Sequence, residues 1–526
     1  MYPTIGTLLE QTAERHPDRE AILDLRQNRR VTYEHWNRHV NRLARALADA
    51  GVKKGDRVSA VLYNTLELGS LFFACAKLGA VFNPINYRLS TEEISFILRD
   101  AEPKVVVFES MVDKQIRPIA EREDDLVFWC IDQGTSSGYA QDYWQLVGQV
   151  PELSINIDVD EQDTFSIMYT SGTTGKPKGV MHRHRDLIEQ SQILIAMTQL
   201  TPRDRGLAVA PMFHAAELHC CFLPRVHIGA GNVLLHQFDA RTVLETIERE
   251  QVTMLFAAPT MWNLLLKENV EDYDLSSLRL GLYGAAPMAP SMVRTIHERL
   301  GIGLVQAYGM TEMGPAVTFL LPDEQLKKAG SAGKPAIHHE VRVVRPGTDG
   351  PSEPEETLPP GEVGEILVRG TCLMQGYYKR EEANRKALYK GWYHSGDLGY
   401  LDEDGYLWVV DRMDDMIISG GENIYPREIE DVLYEHPGVF EVAVVGEPDE
   451  TWGERVVAYV VPKDHALTAE TLDAFLRESD KLSNYKRPRR YVFVEALPKN
   501  ASGKIQRYRL RSGGVAGVSV VQEGSG

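Results

Sequence analysis

The chain reads as an α/β protein, with a large N-terminal domain of parallel α/β sheets plus a small β subdomain, followed by a small α+β C-terminal domain. Three observations predict this. Helical stretches alternate with short apolar strand-like runs through the first part. Near residue 341 the texture changes to short strands broken by Pro and Gly. After Arg412 a compact run of alternating segments is long enough for a domain of its own. A chain of 526 residues also exceeds one hydrophobic core.

In order, Trp36 to Ala50 carries Val40, Leu43, Ala44 and Leu47 at helical spacing and stops at Gly51, and Arg57 to Leu62 then reads as a strand. The pattern repeats as a helix at Leu68 to Leu78 with a strand at Ala80 to Phe82, Thr91 to Asp100 with Val105 to Phe108, and Thr242 to Gln251 with Met254 to Phe256. Such alternation predicts parallel sheets with helical crossovers. Val341 to Arg369 predicts a partly antiparallel β subdomain. Beyond it come a helix at Pro426 to Glu435, strands at Val439 to Gly446 and Val456 to Pro462, a helix at Thr468 to Glu478 and a strand at Tyr491 to Val494. The expected division is 1–412 and 413–526, and the Gly-, Ser- and Val-rich tail after Arg511 is expected to fray.

The composition, 43% hydrophobic and 25% charged, is that of a soluble globular protein, and a formal net charge of -18 argues against nucleic acid as a partner. Five scattered cysteines, Cys75, Cys130, Cys220, Cys221 and Cys372, form no Cys-x-x-Cys pair and read as buried packing residues of a reducing compartment. The first ten residues have no signal-peptide pattern, and the most apolar stretch, Leu68 to Ile85, is broken by Lys77, Gly79 and Pro84. A cytoplasmic protein without a membrane span is expected.

Tyr169 to Val180 reads Tyr-Thr-Ser-Gly-Thr-Thr-Gly-Lys-Pro-Lys-Gly-Val, preceded by the apolar run Phe165 to Met168. Glycines at 172, 175 and 179 let the backbone turn N–H groups toward an anion, hydroxyls come from Thr170, Ser171, Thr173 and Thr174, and Lys176 and Lys178 add charge. A strand feeding a polyphosphate-gripping loop is predicted. The spacing is not that of a Walker loop, since only two residues separate Gly172 from Gly175 and Pro follows the lysine.

Further Gly-punctuated sites follow at Tyr283 to Met288, Gln306 to Glu312, Tyr393 to Gly399, Asp411 to Asn423 and Pro498 to Lys504. Together and in this order they resemble the superfamily of AMP-forming acyl-CoA synthetases, adenylation domains and luciferases, over nearly the whole chain. The resemblance implies that a carboxylate displaces pyrophosphate from ATP, concentrating negative charge at the α-phosphate and leaving group, where cations and fixed donors must converge. By resemblance, Thr170 to Lys178 (with Ser171, Gly172, Thr173, Thr174 and Gly175) cradle the β- and γ-phosphates, Thr311 touches the α-phosphate and Glu312 binds Mg²⁺. Tyr308 stacks on adenine, with Gly284, Ala285 and Ala286 along its edge. Asp397 and Arg412 contact the ribose, Lys504 bridges carboxylate and α-phosphate, and His214 gates the adenylate.

Arg88, Trp452, Tyr485 and Arg487 resemble positions contacting the nucleotide of coenzyme A, Gly420 and Gly421 the wall past which its thiol enters, and Asp414 the hinge of a rotating C-terminal domain. Lys481 to Arg511 holds ten Lys or Arg against one acid, Glu495, an island expected to meet the phosphates of CoA. His182, His184 and His219 lack partners at ligand spacing, so no zinc is assigned.

Ala210 to Cys221 contains no Asp to pair with an amino acid's ammonium, and Glu217 is its only acid. No carrier-protein serine motif follows Arg511. The reading is an ATP- and Mg²⁺-dependent carboxylic acid:CoA ligase making acyl-CoA, AMP and pyrophosphate, on a medium- or long-chain fatty acid whose pocket is walled by Ala215, Gly284, Gly309 and Cys220 to Leu223. The alternatives are a benzoate- or cinnamate-type aryl acid, an acyl-AMP ligase serving a separate carrier protein, and a catalytically silent nucleotide-binding regulator. A homodimer stays open.

Overall fold

The computed structural model describes residues 3–123, 125–132, 138–152, 157–170, 177–286, 288–347, 350–413, 415–419, 422–449, 451–463, 467–479, 481–499, 505–512 and 518–523. Two large sheets form the N-terminal part, and both are parallel at their centres. One runs Lys334–Pro335, Ala316–Leu320, Gly303–Gly309, Leu280–Gly284, Met254–Phe256, Arg205–Ala208, Gly231–Leu234, Glu20–Asp24 and Arg29–Thr32, with antiparallel pairs only at its edges. The other runs Gly376–Tyr377, Lys178–Arg183, Thr164–Thr170, Val81–Pro84, Arg57–Val61, Pro103–Phe108, Val127–Cys130 and Gln141–Asp142. The predicted α/β alternation is the one observed.

The helices Tyr33–Asp49 and Leu66–Leu78 pack on each other in the largest core, beside both sheets. All of Leu66–Leu78 is buried, which explains why apolar residues occupy every side of that segment instead of one stripe, with Glu67, Ser70 and Lys77 buried among them. Its ends are set locally: the Thr65 hydroxyl accepts from the amide of Leu68, and Gly79 closes the helix at φ 69°, a left-handed conformation natural to glycine. Among the described residues no helix is long and apolar enough to cross a membrane.

The β subdomain is a five-stranded antiparallel sheet of His339–Val344, Gly364–Gly370, Trp392–Leu401, Leu388–Tyr389 and Leu407–Arg412. The smaller C-terminal domain holds a six-stranded sheet around Val439–Asp449 and Gly453–Pro462, covered by the helices Pro426–Tyr434 and Ala469–Glu478. Its tail corrects one expectation. Val518–Glu523 does not fray but pairs antiparallel with Arg490–Val494.

Candidate active site

The C-terminal ends of the parallel strands Met254–Phe256, Leu280–Gly284 and Gly303–Gly309 open into a cleft of about 1780 Å³, the edge at which α/β sheets bind ligands. Phe256, Gly284, Ala285, Ala286, Tyr308 and Gly309 line it. Gly309 and Gly284 are small for a packing reason as well: a Cβ would meet the Pro315 carbonyl at 1.9 Å and the Ala307 carbonyl at 2.5 Å.

Thr164–Thr170 and Lys178–Arg183 form an antiparallel pair with Thr170 opposite Lys178, so the Gly/Thr-rich run is the connection between two strands at the cleft. Thr170 and Lys178 both line it. Ser171, Gly172, Thr173, Thr174, Gly175 and Lys176 lie outside the described residues, as do Asp414, Gly420, Gly421 and Lys504.

Thr311 and Glu312 sit in one 3-10 turn, Thr311–Met313, at the floor of the cleft. His182 braces it by donating from Nε2 to the Thr311 carbonyl at 2.7 Å. Glu312 is buried and accepts the Tyr377 hydroxyl at Oε1, 2.8 Å away. Neither His182 in this role nor Tyr377 was singled out in the sequence, where no pattern ties positions 65 residues apart.

Asp397, Arg412 and Tyr308 converge from separate strands. Asp397 faces Arg412 across paired strands, Arg412 Nε donates to Asp397 Oδ1 at 3.0 Å, and the Tyr308 hydroxyl donates to Oδ2 at 2.7 Å. Ser395 Oγ accepts from the Asp397 amide, and its carbonyl accepts from Arg412. The Asp397 carboxylate holds the Arg412 guanidinium still more firmly protonated, while burial and Asp397 push the Tyr308 phenol well up.

At the far end Leu194, Cys220, Cys221, Phe256, Leu282 and Ala316 pack together and line the cleft. His214 also lines it, its Nδ1 accepting from the Ala216 amide at 3.5 Å, with Ala215 beside it. One expectation about this wall changes. Phe222 and Leu223 belong to the core against Trp36 and Phe73, because the π-helical turn Leu218–Phe222 directs Cys220 and Cys221 to the cleft and Phe222 away. Glu217 is spent internally: it is fully buried, bonds Arg225 at 2.7 Å, and burial pushes its carboxyl up to about 7 against that arginine. All five cysteines are buried.

The small domain reaches the same cleft through Lys499 and Ile505 to Arg509, the residues flanking Lys504. Its docking is polar. The Arg427 amide donates to Asp411 Oδ2 at 3.1 Å, its side chain donates to the Val409 carbonyl at 2.6 Å, and Lys267 Nζ stands 3.6 Å over the Phe440 ring. Burial pushes the Asp411 carboxyl up to about 6, opposed by Arg507. Arg507 in turn bonds Glu430 at 2.8 Å, and Arg511 bonds Asp415 at 2.9 Å.

The residues expected to meet CoA divide. Arg88 lines the cleft. Trp452 and Tyr485 are 58% and 48% exposed on the small domain and do not line it. Arg487 is corrected: it is buried, and its guanidinium pairs with Asp473 of the same domain, so turning the domain does not free it. The basic island is corrected with it. Lys481, Lys486, Arg487, Arg490, Lys499, Arg507 and Arg511 pair with Glu435, Glu428, Asp473, Glu447, Glu441, Glu430 and Asp415. The island in sequence is largely neutralised in space.

A cleft at the carboxyl ends of parallel strands, lined by both the large part and the small domain, is where α/β folds take their ligands. Residues 9–378 match the family model for AMP-binding enzymes and 428–504 that for the AMP-binding enzyme C-terminal domain, and the chain belongs to this family. It is 40% identical to a feruloyl-CoA synthase of Amycolatopsis sp, over 91% of this chain and 93% of that one. It is 37% identical to the long-chain-fatty-acid–CoA ligase FadD13 of Mycobacterium tuberculosis, over 96% and 98%. The o-succinylbenzoate coenzyme A synthetase of Bacillus subtilis, in complex with ATP and magnesium ion, superposes with a TM-score of 0.83 at 34% identity, over 96% and 98%. The protein is an AMP-forming acid–CoA ligase working through an acyl-adenylate, with ATP and CoA as substrates.

Proposed function

We propose that this ligase activates an acid with an uncharged, apolar acyl group, a medium- or long-chain fatty acid foremost, and that its cleft is used in two half-reactions. The observation that carries the substrate reading is the wall of Leu194, Cys220, Cys221, Phe256, Leu282 and Ala316, an apolar surface with the nearby Glu217 already committed to Arg225. A charged or zwitterionic acid would be desolvated there without a partner.

In the first half-reaction a carboxylate oxygen attacks the α-phosphorus of ATP and the bond to pyrophosphate breaks. Thr170, Lys178 and the loop 171–176 hold the leaving phosphates, Thr311 meets the α-phosphate, and Lys504 bridges it to the incoming carboxylate. Asp397 and Arg412 fix the ribose, Tyr308 and the small residues Gly284 to Ala286 border the adenine, and His214 stands beside the acyl group. Among the described residues no three His, Cys, Asp or Glu side chains cluster as a metal cage. A single carboxylate such as Glu312, buried at the cleft, fits Mg²⁺, an ion that keeps several waters and takes substrate phosphates as further ligands. When bound, the ion supplies neutralisation of phosphate charge.

In the second half-reaction the CoA thiol attacks the acyl carbon and AMP leaves. The small domain, divided from the rest near residues 412 and 413, turns about Asp414 so that Gly420, Gly421, Trp452 and Tyr485 face Arg88 and the thiol's path. The exposure of Trp452 and Tyr485 supports this. Buried reduced cysteines suit a cytoplasmic enzyme.

A second reading, an aryl acid, is favoured by the 40% identity to a feruloyl-CoA synthase and by Phe213 and Phe256 in the lining. AMP release measured with octanoate, palmitate, benzoate, cinnamate and ferulate, each with and without CoA, decides. Highest turnover on the alkanoates supports the first reading and on ferulate or cinnamate the second. AMP release independent of CoA points to a separate carrier acceptor, and no release with any acid to a silent nucleotide binder.

A further inference from the structure

We propose that Tyr377 is a positioning residue for adenylation: its hydroxyl fixes the Glu312 carboxylate for Mg²⁺ while its ring seats Lys178, so one side chain sets both metal ligand and phosphate-facing cation. The inference rests on the reading in which Glu312 takes the metal.

Tyr377 lies in the two-residue strand Gly376–Tyr377, opposite Val180 on the antiparallel Lys178–Arg183. Lys178 is therefore its diagonal cross-strand neighbour on the same face, and Lys178 Nζ stands 5.1 Å from the centre of the Tyr377 ring. The backbone around the tyrosine is clamped. Asn384 Oδ1 accepts from the Tyr377 amide at 2.6 Å, and Asn384 Nδ2 donates to the Tyr377 carbonyl at 3.1 Å. Gly376, at φ 141°, makes room for that amide, since a Cβ there would approach it to 3.1 Å. The next amide, of Tyr378, donates to the Gly179 carbonyl at 2.7 Å, which ties this segment to the strand leaving the phosphate loop.

The direction of each hydrogen bond follows from chemistry. A carboxylate only accepts, so the Tyr377 hydroxyl gives its proton to Glu312 Oε1 at 2.8 Å. Tyr393 Oη, 3.4 Å from Tyr377 Oη, must then donate to it. The chain runs from Tyr393 to Tyr377 to Glu312, and each is buried. With Oε1 held, the carboxylate presents one face to the cleft. An unheld glutamate would lose several rotamers on meeting a metal, and a charge-assisted hydrogen bond removes that cost beforehand.

Tyr377→Phe keeps the ring under Lys178 and deletes only the hydroxyl. Calorimetric titration of ATP with and without Mg²⁺, on wild type, Tyr377→Phe and Tyr393→Phe, separates the roles. The expected result is a loss of about tenfold in affinity for Mg²⁺-ATP in Tyr377→Phe, the scale of one hydrogen bond to a charged group. Affinities for metal-free ATP and for AMP should stay within about twofold, and Tyr393→Phe should lose about threefold or less. A Tyr377→Phe variant with wild-type Mg²⁺ dependence overturns the inference, and so does one that loses metal-free ATP and AMP binding equally, which marks a general packing role. If Glu312→Gln binds Mg²⁺-ATP as well as wild type, the metal reading fails and this inference with it.

Discussion

Asp397 and Arg412 face each other across paired strands with Oδ1 3.0 Å from Nε, and the second Asp397 oxygen takes the hydroxyl of Tyr308 from the neighbouring sheet. Asp397→Asn keeps the shape and removes the charge that Arg412 answers. The half-buried guanidinium then stands without its counterion, and the Tyr308 hydroxyl loses a strong acceptor. The expected outcome is a rise of about ten- to a hundredfold in KM for ATP in steady-state assays, with KM for CoA little changed. An unchanged KM for ATP removes the pair from the nucleotide site.

Glu67 carries a pH prediction. It is fully buried, burial and then Asp24 push its carboxyl up to about 7, and one of its oxygens lacks a partner among the described residues. The folded state therefore binds a proton more readily than the unfolded state between the ordinary carboxylate pKa of about 4.3 and about 7. Stability contributed by this group is present below that window and is lost as pH rises through it. Glu67→Gln should match wild type near the lower bound and exceed it by about 2 to 3 kcal/mol in denaturant titrations above the upper bound. A constant difference at both ends would contradict the shift.

Arg487 separates a structural from a ligand-binding role. Its pairing with Asp473 inside the small domain predicts that Arg487→Ala costs about 3 to 5 kcal/mol of that domain's stability, the scale for leaving a buried charge unpaired. KM for CoA, measured where the variant is folded, should change by less than about threefold, less than one hydrogen bond to a charge is worth. A stable variant with a much higher KM for CoA would return this arginine to the CoA site.

Ala215 is buried at the cleft wall beside His214. Ala215→Trp fills acyl space by local overpacking, so the longest acid accepted should shorten while KM for ATP stays nearly constant. An unchanged chain-length profile takes this residue out of the pocket.

What the sequence disclosed and what it hid follow from how local each feature is. Period found the helix Tyr33–Asp49, and an apolar run before a Gly/Thr-rich one found the strand Thr164–Thr170, because those signals lie within one segment. Asp397, Arg412 and Tyr308 were reached only through their motifs, since 89 residues separate Tyr308 from Asp397. The basic island misled because a window of sequence counts charges and not partners: Asp473, Glu447 and Glu441, which neutralise Arg487, Arg490 and Lys499, all lie outside it. Phe222 was misplaced because a π-helical turn breaks the period that assigns faces. Tyr377 carried a faint signal, a glycine followed by a tyrosine after the β subdomain's Pro/Gly-rich stretch, but nothing local tied it to Glu312.

We propose that one cleft runs two half-reactions, of which only the first needs Lys504. Single-turnover assays of Lys504→Ala test it most directly, with pyrophosphate–ATP exchange for adenylation and AMP release from supplied acyl-adenylate plus CoA for thioester formation. Exchange should fall by about two to three decades, as when a fixed donor at a developing charge is removed, while thioester formation stays within about threefold of wild type, less than the worth of one hydrogen bond to a charge. Equal loss in both half-reactions would contradict the account.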